Sequence, residues 1–341
     1  MAGNPFSLGK LERKLGREYG DWLFKLECKA LGKGLVRRAG LAKFFSSISP
    51  ARRFRNPDGF FFKAASLPAG GKEYWFINIV STQGGNSQLV LTFGRSDGKT
   101  TVNGKAAHGD RVATVGWLYS GGKKVFLEKS LHLQCAKGLL KTDSFSFRGA
   151  YPAYELVAGN NKLRLSKPER GVPYEAVSAT VGALGIGMLT MYLDVKGTLD
   201  GKKFEGVGYV QKVVVVAPFI PWNWVRLVFA DRSVLDFFTA RLSRRDEGYG
   251  IMQTATYRLA SGKTFALGRG RLRRLGPNRW LLEGKDFSAS MKTYASKPFL
   301  MRGRGEFHYD EHMVECADFT FKDASKPAGM GIIEDAYGFL L

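Results

Sequence analysis

Residue types able to do chemistry are sparse in this 341-residue chain, and their spacing restricts what that chemistry is. His308 and His312, with Asp310 and Glu311 between them, would share one face of a helix and suggest a metal pair. Their surroundings read as a strand, which spreads the two histidines about 13 Å apart, so no metal site is expected. Cys28, Cys135 and Cys316 lie far apart and without paired spacing, which suits free thiols in a reducing compartment rather than a disulfide framework or a zinc site. Gly268-Arg269-Gly270 is not followed by a helix pattern and does not form a phosphate loop, and no cofactor is expected. What remains is aromatic. In Trp222-Asn223-Trp224-Val225-Arg226-Leu227-Val228-Phe229, strand alternation puts Trp222, Trp224 and Arg226 on one side and Asn223, Val225, Leu227 and Phe229 on the other. An aromatic face with a charge in it is what a barrel wall presents when its interior holds a ligand, although a rim position for Arg226 fits equally.

The elements that must position these residues are strands. Phe204 to Leu242 reads as three β-branched and aromatic runs, broken by a corner at Pro218 to Pro221 and a turn at Asp231 to Ser233, the pattern of an antiparallel meander. Val213 to Val216 and the residues before each proline exclude a helix there. With 42 glycines and no sustained helical periodicity after the first part of the chain, the body is expected to be all-β. Short strand patterns fill 57–167, the polar, proline-bearing stretch Lys167 to Pro173 follows, and the pattern restarts. We therefore expect a segment 1–56, a barrel over 57–167, a linker over 168–175, and a second barrel over 176–341.

The first segment differs in kind. Leu8, Leu11, Leu15, Tyr19, Trp22, Leu23 and Leu26 form one helical stripe, opposed by Lys10, Arg13, Lys14, Arg17 and Lys25. Such a helix either docks on the body or lies on an anionic membrane surface. The net charge of +22 adds nucleic acid as a candidate partner, but the chain carries no recognisable RNA- or DNA-binding motif. The amino terminus lacks the charged start and apolar run of a secretion signal, and the expected location is cytoplasmic, with possible attachment to a membrane face.

Three separated motifs carry a family resemblance. Glu73-Tyr74-Trp75-Phe76 is followed by Leu91-Thr92-Phe93-Gly94-Arg95; Gly208-Tyr209 by Trp222-Asn223-Trp224 and Ala230-Asp231-Arg232-Ser233; and Gly329-Met330-Gly331-Ile332-Ile333-Glu334 stands near the end. In this order they resemble the two-domain, lipocalin-like family of AttH-like proteins and carotenoid 1,2-hydratases, also called hydroxyneurosporene synthases. The resemblance implies two consecutive lipocalin-like (calycin) antiparallel β-barrels and an elongated hydrophobic ligand, an isoprenoid or other lipid, held in a carrier or sensor role. The ligand-binding residues it points to are Trp75, Tyr209, Gln211, Trp222, Trp224 and Arg226. The alternative is a hydratase, cyclase or isomerase of the same family. The strand after Gly-Tyr in those hydratases presents His, Asp and Trp, where this chain has Val210, Gln211, Lys212, Val213 and Val214. Gln211 cannot donate a proton as an acid can, so an enzyme would need another acid, and Glu205, Asp236 and Glu334 are the candidates.

Overall fold

The structure, a computed structural model, describes residues 56–83, 85–169, 171, 173–181, 184–241, 252–322, 324–326 and 328–340. The basic helical stripe expected from Leu8 to Leu26 lies outside the described residues, as does Cys28. Apart from one helical turn at Asp58–Phe61, the described residues are built into antiparallel strands in two sheets of 12 strands each. No helix among the described residues is long and apolar enough to cross a membrane.

The first sheet forms a nearly closed barrel. Its strand order is Lys123–His132, Arg111–Ser120, Ser87–Ser96, Gly71–Ser81, Lys202–Val216, Leu184–Leu199, Asn161–Ser166, Ala153–Ala158, Phe145–Ala150, Leu139–Lys141 and Gln134–Ala136, with Tyr174–Val181 paired to Leu184–Leu199. The strand from Lys202 to Val216 is thus central: it pairs along its length with Gly71–Ser81, from Gly71 opposite Val216 to Ser81 opposite Gly206. The boundary expected at 168–175 consequently falls between Asn161–Ser166 and Tyr174–Val181, two strands of the same sheet. The chain passes to the second sheet at the other proline-bearing stretch, 217–221. The β-branched run Val213 to Val216, which the expected boundaries placed inside the second barrel, instead pairs with Gly71 to Tyr74 in the first sheet.

The second sheet runs Thr264–Ala266, Met252–Arg258, Val234–Ala240, Trp222–Phe229, Gly329–Leu340, Gly305–Phe321, Phe287–Gly303, Arg279–Gly284 and Gly270–Gly276. A small hairpin, Thr101–Val102 with Lys105–Ala106, comes from the first half and adds to Phe287–Gly303, tying the two sheets together. Gly331 must be glycine for the middle of this sheet to close, since a Cβ there would overlap the Arg226 carbonyl oxygen on the neighbouring strand.

Each sheet wraps its own core. Trp75, Ile77, Ile79, Leu91 and Phe93 face inward in the first, and the turn carrying Phe60, Phe61 and Phe62 plugs it. That plug is pinned by charge: Lys212 Nζ donates to the carbonyls of Phe60 and Lys63 and pairs with Glu73 at 2.8 Å, while Arg95 takes the other Glu73 oxygen at 3.0 Å. In the second sheet Val225, Leu227 and Phe229 pack inward with Leu235, Phe237, Tyr257 and Phe319. The aliphatic face of the Trp222–Phe229 strand is therefore the barrel interior. The aromatic face with the charge, read from sequence as the lining of a lumen, looks out of the barrel toward the other sheet. The reason is polar satisfaction: around Val225, Leu227 and Phe229 the lumen is filled by hydrocarbon, whereas the Trp222 indole N–H and the Arg226 guanidinium find their partners between the sheets. Cys135 and Cys316 are free thiols.

Candidate functional site

A third cluster of buried apolar residues lies between the sheets. Phe76, Val90, Val115, Trp117 and Tyr209 come from the first; Phe299, Phe307, Tyr309, Met313, Ile332 and Ala336 come from the second, with Trp222 and Trp224 packed against them. Period-two alternation builds its polar centre. On the Gly305–Phe321 strand, Phe307, Tyr309, Glu311 and Met313 share one face. Register then sets Glu311 beside Glu334, and Glu334 beside Trp224.

The two carboxyl groups are joined through one phenol. Tyr309 Oη lies 2.9 Å from Glu311 Oε1 and 2.6 Å from Glu334 Oε1. Each outer oxygen is held by an indole: Trp117 Nε1–H donates to Glu311 Oε2 at 2.8 Å, and Trp222 Nε1–H donates to Glu334 Oε2 at 2.9 Å. A phenol has a single proton, so Tyr309 donates to only one of the two carboxyls. The other contact is a hydrogen bond only if that carboxyl is itself protonated and donates to the phenol oxygen. Proton counting therefore requires that the pair retain a proton.

Electrostatics agrees with the count. Glu311 is fully buried and Glu334 is 8% exposed. Burial, and then repulsion from Glu334, pushes Glu311 up to about 8. Burial pushes Glu334 up to about 7 against the hydrogen bonds from Tyr309 and Trp222. Tyr309 is raised well above an ordinary phenol by burial and by the two carboxyls, and stays protonated. Tyr74, beside the pair, is raised by burial and by Glu334. Two interacting acids of this kind titrate as a unit, and around neutral pH the unit holds a proton in an apolar setting.

Next to this centre is an aromatic wall. Tyr209 and Trp224 have ring centroids 5.2 Å apart, and Phe76 lies edge-on to Trp224 at 5.7 Å. Arg226 sits 4.5 Å above the Tyr209 ring and 5.1 Å from Tyr192, with its charge taken by Asp236 at 2.8 and 2.6 Å. Gln211 Nε2 donates to Tyr209 Oη at 2.5 Å and to Thr190 Oγ1 at 3.1 Å. At the other end Trp222 packs against Phe307 at 5.0 Å, Phe219 at 5.7 Å and Tyr309 at 5.8 Å.

Tyr209, Gln211, Trp222, Trp224, Arg226, Asp236 and Glu334 thus converge between the sheets, and two residues singled out in the sequence do not. Trp75 is in the core of the first barrel, stacked on Phe93 at 5.1 Å with its indole N–H on the Phe61 carbonyl at 2.9 Å. Glu205 lies in a surface network with Gln83, Lys196 and Arg232. Asp236 is occupied by Arg226, which leaves Glu334 as the acid among the three candidates. Sequence reasoning missed Tyr309, Glu311 and Trp117. The available signal was the alternation Phe307-x-Tyr309-x-Glu311-x-Met313, which sets a carboxyl on an apolar strand face, but the stretch was weighed only as a metal pair and, once that was rejected, given no role. Those histidines go elsewhere: His308 stacks on Tyr337 at 4.7 Å and His312 bonds Ser296 at 2.8 Å.

No protein-family model matches the sequence, and no curated protein sequence matches it. Solved structures do match. A Nitrosomonas europaea protein described as AttH aligns with a TM-score of 0.54 and 15% identity, over 84% of this chain and 98% of that one. Kievitone hydratase from Nectria haematococca aligns with a TM-score of 0.47 and 12% identity, over 85% and 95% of the two chains. CghA with Sch210972 aligns with a TM-score of 0.47 and 10% identity, over 84% and 92%. The sheets that carry the Glu311–Tyr309–Glu334 centre are thus arranged in the AttH-like fold.

Proposed function

We propose that this chain is an acid–base enzyme that transfers a proton to an apolar, unsaturated substrate held between the two sheets, in a hydration, cyclisation or isomerisation. The observation that carries the reading is the single phenol proton shared between two buried carboxyls, which makes the pair a proton donor at neutral pH. An acid with an effective pKa near the working pH is what general-acid catalysis needs. Glu334 is the donor, because it keeps some exposure while Glu311 is sealed. Glu311 and Tyr309 return the proton to it. The aromatic faces of Trp222, Trp224 and Tyr209 supply apolar contact and stabilise positive charge developing on carbon after protonation. The substrate class is a polyene or isoprenoid rather than a polar metabolite, since the polar groups of the wall are already paired among themselves.

A second reading is a carrier that binds the same class of ligand without chemistry. It is favoured by the fact that each of the four carboxyl oxygens already has a partner. One experiment separates the two. The purified chain is incubated in deuterated water with a panel of isoprenoid and polyene compounds, and products are analysed by mass spectrometry. The enzyme reading expects deuterium on carbon in at least one compound, reduced about 10²–10⁴-fold in Glu334→Gln, the range of a lost general acid. Retention of an unaltered polyene by both wild type and Glu334→Gln would replace the enzyme with the carrier.

A further inference from the structure

Five of the eleven residues from Arg269 to Arg279 are arginine, and none is acidic. Most of this stretch lies in the hairpin of Gly270–Gly276 and Arg279–Gly284, at one end of the second sheet. Strand alternation sends Leu272, Trp280 and Leu282 into the barrel core and leaves Arg271, Arg273 and Arg279 on the outer face.

Near the turn the register slips by one residue. Arg274 faces Trp280, but Gly276 faces Arg279, so Leu275 is left without a cross-strand partner. A bulge of this kind re-aims a side chain. Leu275 is turned out to 57% exposure, more than any other large hydrophobic residue among the described ones. The turn beneath it is firmly held: the Thr293 N–H donates to the Asn278 carbonyl at 2.8 Å, and the Trp280 indole N–H donates to Thr293 Oγ1 at 3.0 Å. Arg274 folds back over the Trp280 ring, 5.2 Å from its centroid, and donates to the carbonyls of Gly276 and Pro277 at 3.2 and 2.8 Å. Those carbonyls fix the shape of the tip and leave the guanidinium charge uncancelled.

The neighbouring charges are likewise in excess. Arg279 stands directly opposite Lys292, a like-charge pair that costs the sheet stability. Lys292 meets Glu315 only at 3.9 Å, with both side chains exposed, whereas Arg273 is matched by Glu283 at 2.8 Å. An exposed leucine flanked by cations that the fold does not neutralise complements a surface with anionic phosphates outside and hydrocarbon beneath. Nucleic acid offers the phosphates without the hydrocarbon, and Trp280, the aromatic ring of this hairpin that would stack on a base, is buried.

We propose that the tip from Arg274 to Arg279 docks the second barrel on an anionic lipid surface, with Leu275 entering the headgroup layer and Arg274, Arg279 and Lys292 meeting lipid phosphates. This contact is separate from the basic stripe of Leu8 to Leu26 and from the site between the sheets.

The test is co-sedimentation of the full chain with vesicles of phosphatidylcholine, with and without phosphatidylserine. Wild type should partition onto the vesicles containing phosphatidylserine, and added salt should weaken it. Arg279→Glu gives Lys292 an opposite charge across the strand, so its thermal midpoint should match or exceed wild type. Its partition should nevertheless fall about five-fold or more, the effect of losing one basic group beside such a surface. Leu275→Ser should lose several-fold at an unchanged midpoint. Lys137→Glu, the same change of charge on an exposed turn of the first sheet, should partition like wild type. Hydrogen exchange on the full chain should slow over residues 271–279 when these vesicles are added, and stay constant at the Lys137 turn. Wild-type partition in both tip variants, an equal loss in Lys137→Glu, or unchanged exchange over 271–279 would overturn the proposal. So would loss of binding to a single-stranded oligonucleotide in Arg279→Glu with vesicle binding intact, which would assign the tip to nucleic acid.

Discussion

Two buried acidic centres in this molecule behave in opposite ways. In the first barrel Glu73 is fully buried, and two cations, Lys212 and Arg95, bond its two oxygens. Between the sheets Glu311 is just as buried, yet among the described residues its bonded partners are a phenol and an indole, both neutral. A carboxylate bonded by fixed cations serves as a structural tie, here holding the Phe60–Phe62 plug. A carboxyl that meets only neutral donors and another carboxyl resolves its burial by keeping a proton. Burial alone therefore does not mark a functional acid. What marks it is the absence of compensating charge among its bonded partners.

Breaking the tie should have the largest effect. Lys212→Ala removes the cation and leaves Glu73 and two backbone carbonyls short of a donor. It is expected to cost about 3–5 kcal/mol in urea unfolding, the usual penalty for removing one partner of a buried pair. A loss below about 1 kcal/mol would mean that Arg95 alone neutralises Glu73 and that the contrast is weaker than drawn.

Tyr309→Phe sharpens the other side. It removes the shared hydroxyl while keeping the ring, and is expected to cost about 1–3 kcal/mol, because two buried carboxyl oxygens lose their partner. The pair should also titrate over a wider range, since the carboxyls then interact without a mediator.

The smallest and most diagnostic effect is on pH dependence. Glu311 and Glu334 are raised from 4.5 to about 8 and about 7 by folding. A raised acid contributes stability that is complete below its unfolded value and lost as pH climbs through the folded one. Thermal midpoints should therefore decline most clearly between about pH 6.5 and 8, above the range in which His312, lowered from 6.5 to about 4, adds stability with rising pH, and the slope should flatten in Glu311→Gln. Lys212, whose pKa burial lowers despite Glu73, titrates above this window in the unfolded chain and adds no slope of this sign within it. A stability profile that rises between about pH 6.5 and 8 would show that the pair is ionised and the contrast false.

Much of this was legible in the sequence, and the illegible part has a physical cause. The strands, their turns and the all-β class follow from β-branched runs and their punctuation, and Trp222, Trp224, Arg226 and Glu334, singled out from pattern and resemblance, lie together between the sheets. Alternation divides the Trp222–Phe229 strand into two faces without saying which is inside; only the packing of the whole barrel decides that. Proline-bearing stretches at Lys167 to Pro173 and at Pro218 to Pro221 look alike locally, and the partner of Val213 to Val216 is a strand far back in the chain. Glu311 was hidden by its neighbours, because His308 and His312 offered a stronger local story than a carboxyl on an apolar face.

The centre between the sheets joins Trp117 to Glu311 across 194 positions of sequence. The strand Gly71–Ser81 waits for Lys202–Val216 before its second edge is covered. During synthesis the amino-terminal half therefore leaves the ribosome with an open sheet edge and an unmatched aromatic face, and nothing downstream can shield them until the central strand arrives. Long-range pairings of this sort fold slowly and expose the nascent chain to aggregation. A chain that stalls or is truncated near the 217–221 crossing would carry a complete first barrel but no second sheet to cover Phe76, Trp117 and Tyr209, and so would be a client for chaperones rather than a half-active protein.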